Sequence, residues 1–104
     1  MKWFGKGHAG TTRQADRGDT RHLERFAREH RGVEAYVEPR TAVTETTVLL
    51  VAASGEWTRR RVSGPKAAHD LAHRLGIPAY DAGVVGYPQR MREWNRRRAQ
   101  GDGD

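Results

Sequence analysis

Residues 55–75, GEWTRRRVSGPKAAHDLAHRL, constrain the fold more than any other stretch of the chain. They predict a strand that carries three consecutive arginines and leads into a helix through a Ser-Gly-Pro start. Side chains alternate across a strand, so Arg59 and Arg61 are predicted on one sheet face, together with Trp57. Arg60 falls on the other face. Charged groups are buried only with a partner, and the arginines therefore require a solvated, cationic sheet face or sheet edge.

The remaining periodicity predicts an α+β fold with the element order α-β-β-β-α-β-α. The apolar run VLLVAA favours a central strand, and Ser54-Gly55 favours a two-residue hairpin turn after it. This order favours a three- to four-stranded, mainly antiparallel sheet with helices packed on one face. The predicted elements are a helix over 19–31, strands over 33–38, 45–53 and 56–62, a helix over 63–75, a short strand over 77–81, a loop over 82–88 and a helix over 88–99.

A chain of 104 residues has the length of one domain. Residues 1–18 are rich in glycine and basic residues without periodicity, which predicts a flexible basic arm. Residues 19–99 are predicted to form the single α+β domain, including the C-terminal Arg-rich helix. Residues 100–104 are predicted to be a disordered tail.

The composition excludes several classes of protein. The absence of cysteine excludes disulfides, thiolate metal sites and a cysteine nucleophile. No apolar run approaches the ~20 residues that a membrane-spanning helix needs. The N-terminal sequence MKWFGKGHAG has no hydrophobic region typical of a signal peptide. We therefore expect a cytoplasmic protein with no membrane partner.

The net charge of +6 is distributed unevenly. Residues 1–32 hold eight basic residues against four acidic ones, whereas residues 33–58 hold one against four. Residues 59–87 hold five against two, and residues 88–104 five against three. This asymmetry favours an oriented anionic partner such as nucleic acid. The alternative is that arginine replaces lysine as ordinary solvated surface, and composition leaves both open.

Two arginine-rich segments form the predicted nucleic-acid site. Guanidinium groups bind phosphate through paired hydrogen bonds, and tryptophan stacks on bases, so the mixture suits RNA or DNA. In the alternative interpretation, Met91 and Trp94 dock the last helix on the domain and the arginines are only solvated. The predicted site residues are Trp57, Arg59, Arg60, Arg61 and Lys66 in the first segment and Arg90, Arg92, Arg96, Arg97 and Arg98 in the second.

His69 and His73 form an HDxxH pattern with Asp70. This pattern differs from the HExxH motif of zinc proteases in having aspartate in place of glutamate. Two histidines one helical turn apart can share a metal, and the adjacent acid could act as a base. A solvated histidine pair is the alternative to this metal-dependent hydrolase. His30 is predicted as a core histidine. Residues 5–10 match GxGxxG in spacing, but the four residues before them are too few for the strand that a dinucleotide loop follows.

The α-β-β-β-α order over residues 20–75 resembles the double-stranded-RNA-binding domain. In that family, lysines at the start of the second helix contact phosphates, and Lys66 stands at the matching place. The further lysines of the family pattern are missing here. Glu38 stands where the loop between the first two strands would supply a basic contact.

With the fourth strand, the order also resembles the core of the PD-(D/E)xK nucleases. In those enzymes the second strand supplies a metal-binding aspartate, and the third supplies an acid-x-Lys pair for metal binding and water activation. Here the second strand has Thr46 and Thr47 beside Glu45, and the third has Glu56 followed by arginines. Arginine cannot be deprotonated, so the resemblance implies a degenerate, non-cutting relative.

From Val33 onward, the runs VEAYVEPRT, TETTVLLVAASGEWTRRRV and LGIPAYDAGVVGYPQRMREWNRR look similar to a small protein group of actinobacterial-type bacteria. Members of that group sometimes carry an oxidoreductase label. This chain does not support that label, because its sequence has no cysteine and no convincing nucleotide-binding loop. The resemblance covers about two thirds of the chain. It implies one compact cytoplasmic domain and adds no site residues.

The sequence favours a non-enzymatic binding module, without catalytic residues or a cofactor, that docks on RNA, DNA or a nucleoprotein complex through phosphate contacts. Such binding predicts an affinity that falls steeply with salt. A protein-interaction module is the first alternative, using the Trp57 and Tyr36 face or the VVGYP loop with Trp94. The metal-dependent hydrolase is the second. The edge strands of a small open sheet allow a monomer or a weak homodimer.

Overall fold

The computed structural model describes residues 17–101 as helices packed around one sheet. It confirms the predicted element order, with one addition, a helical turn inside the predicted loop over 82–88. The first helix begins two residues before the predicted start of the domain, and the rest of the predicted arm and the tail from 102 lie outside the described residues. The elements are α1 (Arg17–Glu29), β1 (Glu34–Glu38), β2 (Thr47–Val51), β3 (Trp57–Arg61), α2 (Pro65–Leu75), β4 (Ala79–Asp81), α3 (Ala82–Val85) and α4 (Gln89–Ala99).

The sheet is mixed and mainly antiparallel, with the strand order β3-β2-β1-β4. β1 and β3 pair antiparallel with β2, and β4 pairs parallel with β1. β2 therefore has a neighbour on each side, as its continuous apolar sequence predicts. β3 lies at an edge of the sheet, which gives its three arginines access to water without burying all of them.

One face of the sheet is covered by α1 and α2, and the main core lies between them and the strands. Leu23 and Phe26 on α1 and Leu71 on α2 are buried there against Val48 and Leu50 of β2. The helices predicted over 19–31 and 63–75 therefore both pack on this face of the sheet. Across residues 17–101, no helix is both long and apolar enough to cross a membrane.

The opposite face of the sheet is covered by the C-terminal segment. Leu49 and Val51 of β2 form a second cluster there with Tyr36, and Met91 of α4 packs onto it. This placement differs from the expectation of helices on one face only. The physical reason is that β2 is apolar on both faces, so its second face also requires cover. α4 gives little sign of this in sequence, because Met91 is its one buried residue.

The connection between β2 and β3 is a three-residue loop rather than the predicted two-residue turn. The N–H of Gly55 donates to the carbonyl of Ala52 (2.9 Å), and the N–H of Ala52 donates to the carbonyl of Glu56 (2.8 Å). Gly55 has φ +96°, the position that such a loop assigns to glycine. A Cβ at Gly55 would overlap the carbonyl of Arg90, so the loop and α4 are in direct backbone contact.

Candidate nucleic-acid interface

The three arginines of β3 have three different environments. Arg59 forms a two-pronged ion pair with Glu38, with Nε–Oε1 at 2.7 Å and Nη2–Oε2 at 3.0 Å. Arg60 extends toward α1, where its Nε lies 3.8 Å from a carboxylate oxygen of Asp19. The Nε of Arg61 is buried and makes no hydrogen bond within residues 17–101. The predicted alternation is thus confirmed for Arg59 and Arg60, but the three do not form one free cationic row.

Glu38 is the centre of a polar network on the α4 side of the sheet. Besides Arg59, it accepts hydrogen bonds from the hydroxyl of Thr47 (2.6 Å) and from that of Tyr87. Burial raises the pKa of Glu38, but the hydrogen bonds from these three side chains outweigh it and leave the pKa below its ordinary value. Glu38 therefore stays ionised and compensates the charge of Arg59.

Replacing Glu38 by glutamine is expected to remove a pH-dependent part of the stability. A depressed carboxyl pKa stabilises the fold at pH values above the ordinary pKa, and this contribution is lost as pH falls through the folded-state value. The wild type should therefore exceed Glu38→Gln in free energy of unfolding near pH 7, and the difference should shrink below about pH 4.5. Urea unfolding of both proteins at about pH 7 and about pH 3 measures it.

A suitable control is Glu45→Gln, because the carboxylate of Glu45 has no hydrogen bond or ion pair within the described part of the chain. Its difference from wild type should change little with pH. If the difference in free energy of unfolding between wild type and Glu38→Gln stayed constant from about pH 7 to about pH 3, the stabilising role of the Glu38 network would be contradicted.

Arg90 holds α4 against the sheet. Its Nε donates to the carbonyl of Ala52 (2.9 Å), and its Nη2 donates to a carboxylate oxygen of Glu34 (2.7 Å). Tyr36 donates to the same oxygen at 2.9 Å. Burial raises the pKa of Glu34, but these hydrogen bonds outweigh it and leave the pKa lowered. Arg90, predicted from the sequence to contact phosphate, is instead engaged within the domain.

The two tryptophans of the described residues line one depression between the start of β3 and α4. The indole Nε1 of Trp57 donates to the side-chain oxygen of Asn95 at 2.7 Å. The guanidinium carbons of Arg97 and Arg98 lie 5.9 and 5.6 Å from the centre of the Trp94 ring. We call these five residues the tryptophan platform. An open depression of about 350 Å³ lies between the two indoles.

The arginines around the platform carry uncompensated charge. Arg96, Arg97 and Arg98 have no carboxylate within ion-pair distance among residues 17–101. Arg97 donates to the carbonyl of Ser54 (3.3 Å), which satisfies a hydrogen bond but leaves the positive charge in place. Arg92 is engaged in the same way with the carbonyl of Tyr87 (2.8 Å). α4 thus presents a cationic surface next to aromatic rings.

Lys66 lies apart from the platform. It begins α2, which covers the other face of the sheet, and its Nζ bonds Asp70 at 2.8 Å. The predicted phosphate contacts of Lys66 and of α4 therefore belong to different surfaces.

The predicted metal ligands His69 and His73 are exposed on α2. Within residues 17–101, the structure brings no group of three or more His, Cys, Asp or Glu together.

His30, predicted as a core histidine, is half-buried at the end of α1. Its ring stacks on Phe26 with the centroids 3.8 Å apart. Its Nδ1 lies 2.8 Å from the Phe26 carbonyl, and its Nε2 lies 3.1 Å from a carboxylate oxygen of Glu56. His30 therefore links α1 to the β2–β3 connection. Its ring contacts Glu56, which lines the platform depression.

The two surfaces predicted for a protein partner differ in exposure. Tyr36 is buried beneath Ala82 and Met91, so a Trp57 and Tyr36 face is not open. The VVGYP loop is exposed, with Val84 and Val85 at 80% and 55% of full accessibility.

Asn95 is the platform residue that sequence reasoning missed. A lone asparagine in an arginine-rich helix has no periodic signal, and only its partner Trp57, 38 residues away, marks it. Trp94 is recognisable in the sequence as an aromatic residue, but its pairing with the hairpin is not.

Comparison of the chain with family models, with curated proteins and with solved structures found no match.

Proposed function

We propose that this domain binds single-stranded nucleic acid on the tryptophan platform, as a non-enzymatic module. The observation that carries the proposal is Trp94, which has two guanidinium groups without carboxylate partners among residues 17–101 close to its ring and lines a depression together with a second indole. Single-stranded binding proteins combine such cationic surfaces with aromatic rings on which bases stack.

A single strand fits this surface better than a duplex. Bases in a duplex are stacked on each other, whereas an open strand can place a base against an indole. The depression between Trp57 and Trp94 has room for such a ring, and Arg96, Arg97 and Arg98 would contact the flanking phosphates. Arginine suits that role because its planar fork pairs with two phosphate oxygens.

Replacing Trp94 by alanine is expected to weaken the binding of a fluorescein-labelled oligouridine of about ten nucleotides by roughly 5- to 150-fold. This range corresponds to the ~1–3 kcal/mol that base stacking on an aromatic side chain contributes. Fluorescence anisotropy at about 50 mM salt measures the dissociation constant. The matching oligodeoxythymidine tests whether RNA or DNA is preferred.

The salt dependence identifies the phosphate contacts. The Arg97→Ala and Arg98→Ala double variant should flatten the log–log salt slope by roughly 1.4, since each phosphate of a single strand that an arginine neutralises adds about 0.7. The control is Arg25→Ala with Arg28→Ala, the same charge change on exposed positions of α1. An equal loss of affinity in both double variants would mean that net charge alone drives binding.

If Trp94→Ala bound the oligouridine with the same affinity as wild type, binding on the tryptophan platform would be contradicted.

A further inference from the structure

A second candidate site lies on the opposite side of the sheet from the platform. An open groove of about 550 Å³ runs between α1 and α2. α1 contributes Arg17 and Arg21 to its rim, and α2 contributes Arg74. None of these arginines belongs to the residues predicted from the sequence to bind a partner.

The floor of this groove is apolar. Val62, which follows β3, and Leu71 of α2 are buried side chains that reach the groove, and Ala67 lies half-buried beside them. An apolar side chain placed on this floor would be removed from water, which stabilises binding in proportion to the area covered.

The rim is cationic and largely uncompensated. Arg17 and Arg21 lie one helical turn apart and have no ion-pair partner among residues 17–101. Arg74 forms a long ion pair with Glu24 of α1, with Nη2–Oε2 at 3.9 Å. Asp70 is an acidic residue of the lining, and it is bound to Lys66 at 2.8 Å. The groove therefore combines an apolar floor with a surplus of positive charge at its rim.

We propose that this groove binds an acidic peptide segment of a partner protein, with one apolar side chain on the floor and flanking carboxylates paired with Arg17, Arg21 and Arg74. The charge complementarity requires an anionic partner. Among the described residues, the groove lining holds no aromatic ring on which a base could stack, so a nucleic acid would use mainly the cationic rim and leave the Val62 and Leu71 floor poorly covered. An acidic segment with an apolar anchor satisfies both parts, as in helix-in-groove recognition.

The probe is a fluorescein-labelled peptide of about a dozen residues, with glutamate and aspartate around a central leucine, titrated with the full chain at about 100 mM salt. Arg17→Glu with Arg21→Glu is expected to weaken its binding at least about tenfold, because attraction becomes repulsion. Arg17→Glu places an acid in the first turn of α1, which favours the helix. Thermal unfolding should confirm that the variant folds.

The matched control is Arg25→Glu with Arg28→Glu, the same charge reversal on exposed positions of α1 outside the groove. It should retain most of the peptide affinity. Replacing the leucine of the peptide by serine should weaken binding about tenfold, since the floor then remains uncovered. The groove variant should bind oligouridine like wild type.

Absence of peptide binding would overturn this assignment, as would an equal loss in the control. Displacement of the peptide by oligouridine would show that the groove takes nucleic acid instead. Because Trp94→Ala should leave peptide binding unchanged, failure of the platform and failure of the groove are distinguishable.

Discussion

Replacing Gly55 by alanine is expected to detach α4 from the sheet. Gly55 has φ +96°, where a Cβ is strained, and the added Cβ would overlap the carbonyl of Arg90 and lie 3.0 Å from the Cβ of Trp94. The overlapping atoms belong to backbone, so no side-chain rotation can relieve them. We expect a loss of about 3 kcal/mol or more in the free energy of unfolding, from backbone strain and overpacking together.

Two other glycines separate the causes. Gly76 has φ +70° and open space around it, so Gly76→Ala reports the backbone strain alone, about 1 kcal/mol. Gly64 has extended backbone and no neighbour within 4 Å, so Gly64→Ala should be nearly neutral. Thermal unfolding of the three variants measures the ranking, at roughly 4–8 °C for each kcal/mol in a domain of this size. A Gly55 variant no less stable than Gly76→Ala would contradict the close contact.

Arg90→Ala is expected to be the second large loss, about 3 kcal/mol. The substitution removes the hydrogen bonds to Ala52 and Glu34 and leaves the Glu34 carboxylate without its cationic partner. Hydrogen bonds to charged groups contribute ~1.5–3 kcal/mol each, and the half-buried Glu34 carboxylate, left without its partner, adds part of its desolvation cost. Arg90→Lys should not restore the loss, because an ammonium group has no fork that could reach both acceptors.

The control for Arg90 lies on the same helix. Arg92 is exposed and, within residues 17–101, donates only to the carbonyl of Tyr87, so Arg92→Ala should cost less than about 1 kcal/mol. Denaturant unfolding compares the stabilities of the Arg90→Ala and Arg92→Ala variants. A double-mutant cycle of Arg90→Ala and Glu34→Gln measures the coupling energy between Arg90 and Glu34. Equal stabilities of the Arg90 and Arg92 variants would show that Arg90 does not anchor α4.

Both variants bear on function, because α4 carries Trp94 and Asn95 of the platform. Gly55→Ala and Arg90→Ala should weaken oligonucleotide binding although neither residue contacts the ligand in the proposed complex. The structural role of Arg90 also explains why the arginines of α4 differ from one another. Arg90 fastens the helix, whereas Arg96, Arg97 and Arg98 near its end have no carboxylate partner among residues 17–101.

Local patterns predicted the elements of this fold well. The apolar run Val48–Val51 favoured a central strand, and the arginines after Trp57 required a solvated sheet face or a sheet edge. Gly76 ends α2 at φ +70°, directly after the predicted end of that helix at residue 75. These features depend on residues close in sequence, which is why the sequence alone reveals them.

The site was harder to predict because its contacts join distant parts of the chain. Arg59 and Glu38 are 21 residues apart, and Arg90 and Glu34 are 56 apart. Nothing local distinguishes these paired arginines from Arg97 and Arg98, which have no carboxylate within ion-pair distance among residues 17–101. Only the register of β1, β2 and β3 and the crossing of α4 decide which arginines are compensated.

The most direct test of the proposed function is a ¹H–¹⁵N NMR titration of the full chain with oligouridine, following backbone amides and tryptophan indole N–H groups. The platform predicts the largest shifts at the indoles of Trp57 and Trp94 and at the amides of Arg97 and Arg98, with little change along α1 and α2. Shifts centred on Lys66 and α2, or no shifts at concentrations well above micromolar, would contradict it.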